Sequence, residues 1–141
     1  MATTRKAGEW KVRIGRSYAG LGLYAEEEIP KGVAIIEYTG TPLTKEEEAK
    51  SRSRYLFEVT KTKTIDGQSR KNTARYINHS CRPNCEPSIS KGRVFIKARR
   101  KIKAGEELAY NYGKDYFNQM LKGLCRCPKC AEKATAARKR A

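Results

Sequence analysis

Residues 78–84 of the 141-residue chain read Asn-His-Ser-Cys-Arg-Pro-Asn. The stretch places a thiol among several hydrogen-bonding side chains. A simple turn does not require so many functional groups. His79 is the only histidine of the chain, so a metal site with two histidine ligands and a histidine dyad are both excluded. A lone histidine is more often structural than catalytic. The polar groups around it are what make this segment a candidate functional site.

Upstream of this segment, residues 19–22 read Ala-Gly-Leu-Gly. Two glycines around one residue let the backbone turn sharply and approach a ligand closely, although a turn between two strands is the simpler interpretation. A dinucleotide-binding fingerprint is excluded, because the strand–helix context and the third glycine are missing.

Downstream, residues 105–113 read Gly-Glu-Glu-Leu-Ala-Tyr-Asn-Tyr-Gly. In a strand, alternation places Tyr110 and Tyr112 on the same face. The two phenols could be half-buried packing residues, or they could line a narrow slot with their hydroxyl groups directed inward.

The rest of the chain consists of short β-favouring segments separated by turn residues, which predicts a mainly β fold. The predicted strands include residues 33–38, 55–59 and 93–98. Asp66-Gly67 and Lys91-Gly92 are predicted to be hairpin turns, because glycine readily adopts the positive φ that tight turns require.

A few short helices are also predicted. Thr44 and Glu47 form the pattern of a capping box, which predicts a helix of about two to three turns from that point. Further short helices are predicted at residues 73–77 and 116–121.

The chain has 31 Lys and Arg against 15 Asp and Glu, a formal net charge of +16. This charge attracts polyanions, so association with nucleic acid is one interpretation and a generally cationic surface is the other. No apolar run approaches the ~20 residues that span a bilayer, and the N-terminus lacks the apolar stretch of a secretory signal. We therefore expect an intracellular protein of the cytoplasm, nucleoid or nucleus, without membrane contact. Five cysteines in such a protein argue against a disulfide framework.

Taken together, the Gly-x-Gly loop, the Asn-His-Ser-Cys-x-Pro-Asn segment and the Gly-Glu-Glu-Leu-x-Tyr-x-Tyr segment resemble the SET-domain family of protein-lysine methyltransferases. Tyr38 in Glu-Tyr-x-Gly and Tyr55 in Tyr-Leu-Phe-Glu-Val also match family positions, and the resemblance runs from about residue 11 to residue 130. It implies a mainly β fold of small curved sheets, with a C-terminal pseudoknot and a few short helices. It divides the chain into a basic N-terminal arm (1–10), a SET domain (11–113), a post-SET zinc-binding segment (114–131) and a basic flexible tail (132–141).

The resemblance implies an S-adenosylmethionine-dependent protein-lysine N-methyltransferase. The family's catalytic tyrosine falls on Tyr112, which would orient the amine and the methyl group, and Tyr38 and Tyr110 would complete the channel wall. A Tyr at position 110 implies monomethyl-lysine as the chief product, with dimethyl-lysine as the alternative. The implied donor-binding residues are Ala19, Gly20, Leu21, Tyr55, Asn78 and His79.

The cysteines are similar to a post-SET zinc site, in which Cys125, Cys127 and Cys130 supply three thiolates and Cys81 the fourth. The family spacing after the Cys-x-Cys is four residues and here it is two, so Cys85 is a substitute candidate for the fourth ligand. Reduced thiols without a metal are the alternative.

The expected substrate is a basic, lysine-containing protein, histone-like or associated with DNA. The acidic residues 26–28 and 46–48 could attract such a substrate, or they could be solvated faces. Two other functions remain open. The chain could be a non-catalytic basic zinc-containing module that binds nucleic acid, or a SET fold that binds its donor without activity.

Overall fold

The computed structural model describes residues 5–18 and 20–113. The predicted post-SET segment, tail and helix at 116–121 lie outside these residues, and the division of the chain into arm, domain, segment and tail stays a prediction. Within the described part, no helix is long and apolar enough to cross a membrane.

The structure is built mainly from short strands, which confirms the predicted fold class. One α-helix and one 3₁₀ turn, Thr73–Tyr76, accompany them in the described residues. In chain order the other elements are β1 (Val12–Ser17), β2 (Gly20–Ala25), β3 (Ala34–Tyr38), β4 (Thr41–Leu43), α1 (Lys45–Lys50), β5 (Leu56–Thr60), β6 (Lys63–Asp66), β7 (Asn78–His79), β8 (Cys85–Ser90), β9 (Arg93–Ala98) and β10 (Glu107–Tyr110).

The strands form three small sheets, with the orders β1-β2-β10-β7, β3-β9-β8 and β4-β6-β5. In the first sheet β1 and β2 are antiparallel along their whole length. Strand β10 lies between β2, to which it is antiparallel, and β7, to which it is parallel. Strand β10, the last of the described strands, therefore fills a position between two earlier segments, which is the placement that the predicted pseudoknot requires.

The core lies between the sheets and is apolar. On β9, alternation buries Val94, Ile96 and Ala98 while the residues between them are more exposed. Two loops close the core through Ile29 and Ile102, whose backbones exchange hydrogen bonds of 2.8 and 2.9 Å. Burying an isoleucine contributes roughly 1.5–3 kcal/mol, so these two fully buried side chains hold the loops firmly.

Helix α1 begins at the predicted capping box but is shorter than expected. Thr44 Oγ1 accepts from the backbone N–H of Glu47, and the Glu47 carboxylate accepts from the backbone N–H of Thr44. The helix has six residues and none of them is buried. Helices of this length depend on packing, and without a buried face nothing sustains a further turn.

One of the two predicted hairpin turns is confirmed and the other is wrong. Lys91 and Gly92 join β8 to β9 with φ of 50° and 76°. Asp66 instead ends β6, and the turn between β5 and β6 lies at residues 61 and 62. Gly67 is needed for close packing, because a Cβ there would lie 2.5 Å from the ring of Tyr38.

The described residues of the predicted N-terminal arm contact the domain. The backbone N–H of Gly8 donates to the carbonyl of Ile35 at 2.8 Å. Trp10 is buried, and the Arg5 guanidinium lies 4.5 Å from the centre of its ring.

Candidate functional site

A cavity of about 260 Å³ opens where strands of all three sheets approach one another. Its walls are mostly aromatic, with two arginines at one side. The lining residues are Tyr38, Arg54, Tyr55, Leu56, Phe57, Arg75, Ile77, Asn78, Tyr110 and Tyr112. Five predicted site residues, Tyr38, Tyr55, Asn78, Tyr110 and Tyr112, are therefore brought together around one space.

One wall of the cavity is a continuous series of aromatic rings. The ring centres are 5.4 Å apart for Tyr38 and Phe57, 6.4 Å for Phe57 and Tyr110, and 4.9 Å for Tyr110 and Tyr112. The Tyr38 hydroxyl donates to the carbonyl of Tyr55 at 2.6 Å, which fixes that ring. The wall is narrow, rigid and apolar, with hydroxyl groups at its ends.

Two hydrogen bonds to other described residues hold Tyr112 in place. Its hydroxyl donates to the carbonyl of Ile77 at 2.5 Å, and its backbone N–H donates to Nδ1 of His79 at 3.0 Å. Because the hydroxyl hydrogen is used in the first bond, the phenol oxygen can act toward the cavity only as a hydrogen-bond acceptor.

His79 does not line the cavity but supports it from behind. Its carbonyl accepts from the Tyr18 hydroxyl at 2.8 Å, and its ring meets that of Tyr112 edge-on at 5.3 Å. Nδ1 accepts from Tyr112, so in the neutral ring the hydrogen lies on Nε2, which is 3.4 Å from Sγ of Cys81. Burial lowers the pKa of His79, which favours this neutral form.

Asn78 connects the cavity to the Gly-x-Gly loop. Its side-chain amide donates to the carbonyl of Leu21 and to the Glu107 carboxylate, both at 3.0 Å. The Ser17 hydroxyl donates to the same carboxylate at 2.6 Å. A Cβ on Gly22 would lie 2.3 Å from Oε2 of Glu107, so a larger residue there would have to displace this carboxylate.

Gly20 and Leu21, the described residues of the predicted donor-binding loop, lie beside the cavity rather than in its wall. Gly20 has a φ of +101°, which makes the turn between β1 and β2. Leu21 exposes 52% of its surface and reaches the cavity only through the bond from Asn78 to its carbonyl. Ala19 lies outside the described residues.

Five lining residues of the cavity were not predicted as site residues, namely Arg54, Leu56, Phe57, Arg75 and Ile77. The Arg75 guanidinium lies 4.4 Å from the ring centre of Tyr55 and 5.1 Å from that of Tyr76. Its Nε is buried without a hydrogen-bond partner among the described residues. An orphaned donor in a cavity wall is accounted for by a polar group of a ligand or by water. Arg75 directly precedes the Tyr-Ile-Asn-His stretch, and this adjacency was the available signal.

Asn84 fastens β10 to the segment that contains His79. Its amide donates to the carbonyl of Glu107 at 2.8 Å, and its oxygen accepts from the N–H of Ala109 at 2.9 Å. This explains the asparagine at the end of the quoted motif, because its side chain completes the hydrogen bonding of a buried strand.

The two described cysteines differ in their exposure to solvent. Cys81 is partly exposed, whereas Cys85 is buried and burial raises the pKa of its thiol to about 12. A zinc ligand must be a thiolate, so Cys85 is poorly suited to replace Cys81. Within residues 5–18 and 20–113 no three His, Cys, Asp or Glu side chains group into a metal site. Cys125, Cys127 and Cys130 lie outside the described residues, so the zinc site stays a prediction.

Comparison with known proteins identifies the family. The SET domain model matches residues 20–113. The chain is 40% identical over 139 residues to Histone-lysine N-methyltransferase trr of Drosophila melanogaster, covering 86% of this chain and 6% of that protein. It is 37% identical over 134 residues to Histone-lysine N-methyltransferase 2D of Homo sapiens, covering 84% of this chain and 2% of that protein. It thus spans a small fraction of the length of these curated relatives.

Among solved structures, the fold is similar to that of KRYPTONITE in its crystal structure in complex with mCHH DNA, H3(1-15) peptide and SAH. The TM-score is 0.64 at 30% sequence identity, with 75% of this chain and 24% of that chain covered. The family match covers the β2-to-β10 region that builds the aromatic cavity. The chain belongs to the SET-domain family.

Proposed function

We propose that the protein is an S-adenosylmethionine-dependent protein-lysine N-methyltransferase. The observation that carries the proposal is the aromatic cavity with the Tyr112 oxygen, a hydrogen-bond acceptor, at one end. Such a space suits an extended, weakly polar lysine side chain that presents its nitrogen to a fixed acceptor. The names of the relatives and the SAH in the KRYPTONITE structure support the same reaction and donor.

The chemistry requires a neutral amine at the end of the lysine. The reference pKa of lysine is ~10.4, so the amine arrives protonated and must lose a proton to solvent before it can act as a nucleophile. Burial among Tyr38, Phe57 and Tyr110 disfavours the charged form. The Tyr112 oxygen accepts a hydrogen bond from the amine and fixes the direction of its lone pair, and such orientation lowers the barrier by several kcal/mol.

The donor supplies an electrophilic methyl group on a positive sulfur when bound. We assign its binding to the side of the cavity that carries Tyr55, Asn78 and Arg75, with the backbone at residues 19–21 and His79 as further contacts. The fit rests on the orphaned Nε of Arg75, which offers a hydrogen bond to a polar ligand group. Arg54 adds positive charge on the same side, which suits a carboxylate.

We propose monomethyl-lysine as the chief product and dimethyl-lysine as a lesser one. The Tyr110 ring is 95% buried and packs 4.9 Å from that of Tyr112, so its hydroxyl occupies space near the position of the amine. A methylated amine is larger than a free one and fits this space less well.

A basic, histone-like protein is the proposed substrate, and the nucleus or nucleoid the proposed location. Support comes from the relatives named as histone-lysine N-methyltransferases and from the H3(1-15) peptide in the KRYPTONITE complex. A structural zinc ion on Cys81, Cys125, Cys127 and Cys130 also remains part of the proposal. Cys81 is the partly exposed cysteine of the described pair, which supports its role.

The rival function, a non-catalytic basic module that binds nucleic acid, explains the charge but gives no role to the aromatic cavity. Purified protein, tritiated S-adenosylmethionine and recombinant histone H3 separate the two. We expect the unmodified protein to label the histone, and we expect the Tyr112→Phe substitution to abolish this labelling. Tyr24→Phe removes a hydroxyl that donates to the Arg16 carbonyl outside the cavity, and it should leave labelling unchanged. Donor binding without labelling of any basic protein would indicate the inactive SET fold.

A further inference from the structure

Two loops lie side by side at one edge of the cavity. Residues 51–55 connect α1 to β5, and residues 67–72 connect β6 to the 3₁₀ turn. The backbone N–H of Gly67 donates to the carbonyl of Tyr55 at 2.8 Å, and the Ser53 hydroxyl donates to Oδ1 of Asp66 at 2.6 Å. Both loops are thus fixed to the end of the β5–β6 pair, next to the cavity-lining Tyr55 and Arg54.

These loops carry four exposed cationic side chains, Arg52, Arg54, Arg70 and Lys71, which we call the basic rim. Within the described part of the chain the basic rim forms no ion pair with a carboxylate. Neither residues 49–57 nor residues 67–77 contain an Asp or Glu. The nearby Asp66 is buried, and its carboxylate accepts from Ser53 and from the backbone and side chain of Gln68.

Several other cations of the described surface are neutralised locally by carboxylates 2.5 to 2.7 Å away, namely in Arg5–Glu27, Arg93–Glu37 and Arg100–Glu106. The basic rim therefore differs from these parts of the surface in sign and in concentration of charge. A positive rim at this edge repels a basic lysine-containing peptide, so its complement is an anionic partner.

We infer that the basic rim binds the phosphate backbone of nucleic acid. Three of its four residues are arginines, whose planar guanidinium groups donate two parallel hydrogen bonds to a phosphate. The described large apolar side chains that are exposed are Ile14, Leu21 and Ile89, and none of them lies on the rim. Interfaces with proteins usually have an apolar centre, whereas interfaces with nucleic acid are polar and strongly positive.

Binding of nucleic acid at the basic rim is separate from the proposed methyl transfer and does not depend on it. A nucleic acid on the basic rim would lie beside the cavity, and a basic protein bound to the same nucleic acid would be held close to the enzyme. Association of this kind is dominated by charge and is independent of base sequence.

The test is fluorescence anisotropy of the full chain with a labelled DNA duplex of about 20 base pairs, over a range of salt concentrations. The rim variant R52Q/R70Q/K71Q leaves Arg54 intact because that residue lines the cavity. The matched control K31Q/K61Q/K103Q changes three other exposed lysines, so both variants lower the net charge of +16 by three. A third variant, R52K/R70K/K71R, keeps the charge of the rim.

We expect the rim variant to lose about tenfold or more in affinity, and the slope of log K against log salt to fall by about 2.7, or 0.9 for each lost phosphate contact. The control should stay within about threefold of the unmodified protein and keep its slope, and the charge-preserving variant should keep the slope. Equal losses in the rim variant and the control would overturn the inference, as would absence of binding by the unmodified protein. Equally tight binding of a polyglutamate peptide would overturn the assignment to nucleic acid.

Discussion

The Glu107 carboxylate fills the space that a side chain on Gly22 would need, because a Cβ atom at position 22 would lie 2.3 Å from Oε2 of Glu107. Hydrogen bonds from Asn78 and Ser17 hold the carboxylate in this position. The second glycine of the Gly-x-Gly loop therefore contacts the residue that orients the Asn78 side-chain amide. The loop, the Asn-His segment and the tyrosine strand thus meet at one carboxylate.

This contact predicts energetic coupling between the two positions. Gly22→Ala should destabilise the protein by about 1–3 kcal/mol through overpacking. In the double variant Gly22→Ala/Glu107→Ala, the loss in free energy of unfolding should be about 1 kcal/mol smaller than the sum of the losses in the two single variants. The reason is that removal of the Glu107 side chain also removes its clash with the new Cβ. Rescue is incomplete, since the new Cβ also lies 2.9 Å from Cβ of Ser17. Urea unfolding of the four proteins measures this coupling.

Gly15→Ala is the matched control for this cycle. Its Cβ would meet the side chains of Arg13 and Tyr24 instead of the carboxylate. Its effect should therefore add to that of Glu107→Ala within about 0.5 kcal/mol. Additive behaviour of Gly22→Ala as well would contradict the described geometry.

Tyr110→Phe should raise the methylation state of the product. The change removes one hydroxyl from the wall beside Tyr112 and leaves more room for a methylated amine. Mass spectrometry of the methylated histone should show monomethyl-lysine as the chief product of the unmodified protein and an increased share of dimethyl- and trimethyl-lysine for the variant. Tyr24→Phe should leave the distribution unchanged. Efficient trimethylation by the unmodified protein would refute the assigned specificity.

Asn84→Ala should destabilise the fold by about 2–4 kcal/mol, because it leaves the carbonyl of Glu107 and the N–H of Ala109 without their partner inside the protein. Asn111→Ala is the control at an exposed asparagine, whose side chain accepts only from the backbone of Gly113 among the bonds described. It should change the free energy of unfolding by less than about 0.5 kcal/mol. Urea unfolding measures both variants. Similar losses of stability in the two would argue against the proposed role of Asn84 in fastening β10.

The buried thiol of Cys85 predicts a specific loss of stability in alkali. Its pKa is raised by burial from an ordinary 9.0 to about 12, so above pH 9 the thiol ionises in the unfolded chain but stays protonated in the folded one. Stability therefore falls as pH rises through this window, by about 4 kcal/mol in total. The difference in unfolding free energy between the unmodified protein and Cys85→Ala should shrink by about 2 kcal/mol from pH 8.5 to pH 10.5.

Alkylation checks the same burial at fixed pH. Iodoacetamide at pH 8, after treatment with a chelator, should modify Cys81 while Cys85 reacts only after denaturation, as followed by peptide mapping. Modification of both cysteines at similar rates in the folded protein would be inconsistent with the burial of Cys85.

Features that depend on neighbouring residues were predictable from the sequence. The capping box at Thr44 and Glu47 and the hairpin at Lys91-Gly92 are decided within a few positions, and both are present. Asp66-Gly67 has the composition of a turn but a different role. Gly67 packs against Tyr38, which is far away along the chain, and no local pattern contains that information.

The residues of the candidate site also fall into two groups, those that local sequence patterns predict and those whose role depends on the fold. Alternation alone suggested that Tyr110 and Tyr112 share a face, and both line the cavity. The convergence of Tyr38, Tyr55, Asn78, Tyr110 and Tyr112 could be expected only from the family resemblance. Phe57, Arg75 and Glu107 were overlooked because their importance depends on which rings and amides they meet after folding. Arg75 lies three residues before the Asn-His segment, and Glu107 lies within the Gly-Glu-Glu-Leu segment.

The position of β10 also determines when the protein can become competent during its synthesis. Residues 107–110 pair with β2 on one side and with β7 on the other. A nascent chain that has not yet released these residues from the ribosome holds both earlier strands with an unfilled place between them, and non-local pairing of this kind forms slowly. Among the described residues, the first sheet is therefore completed only when this one short strand is inserted between β2 and β7.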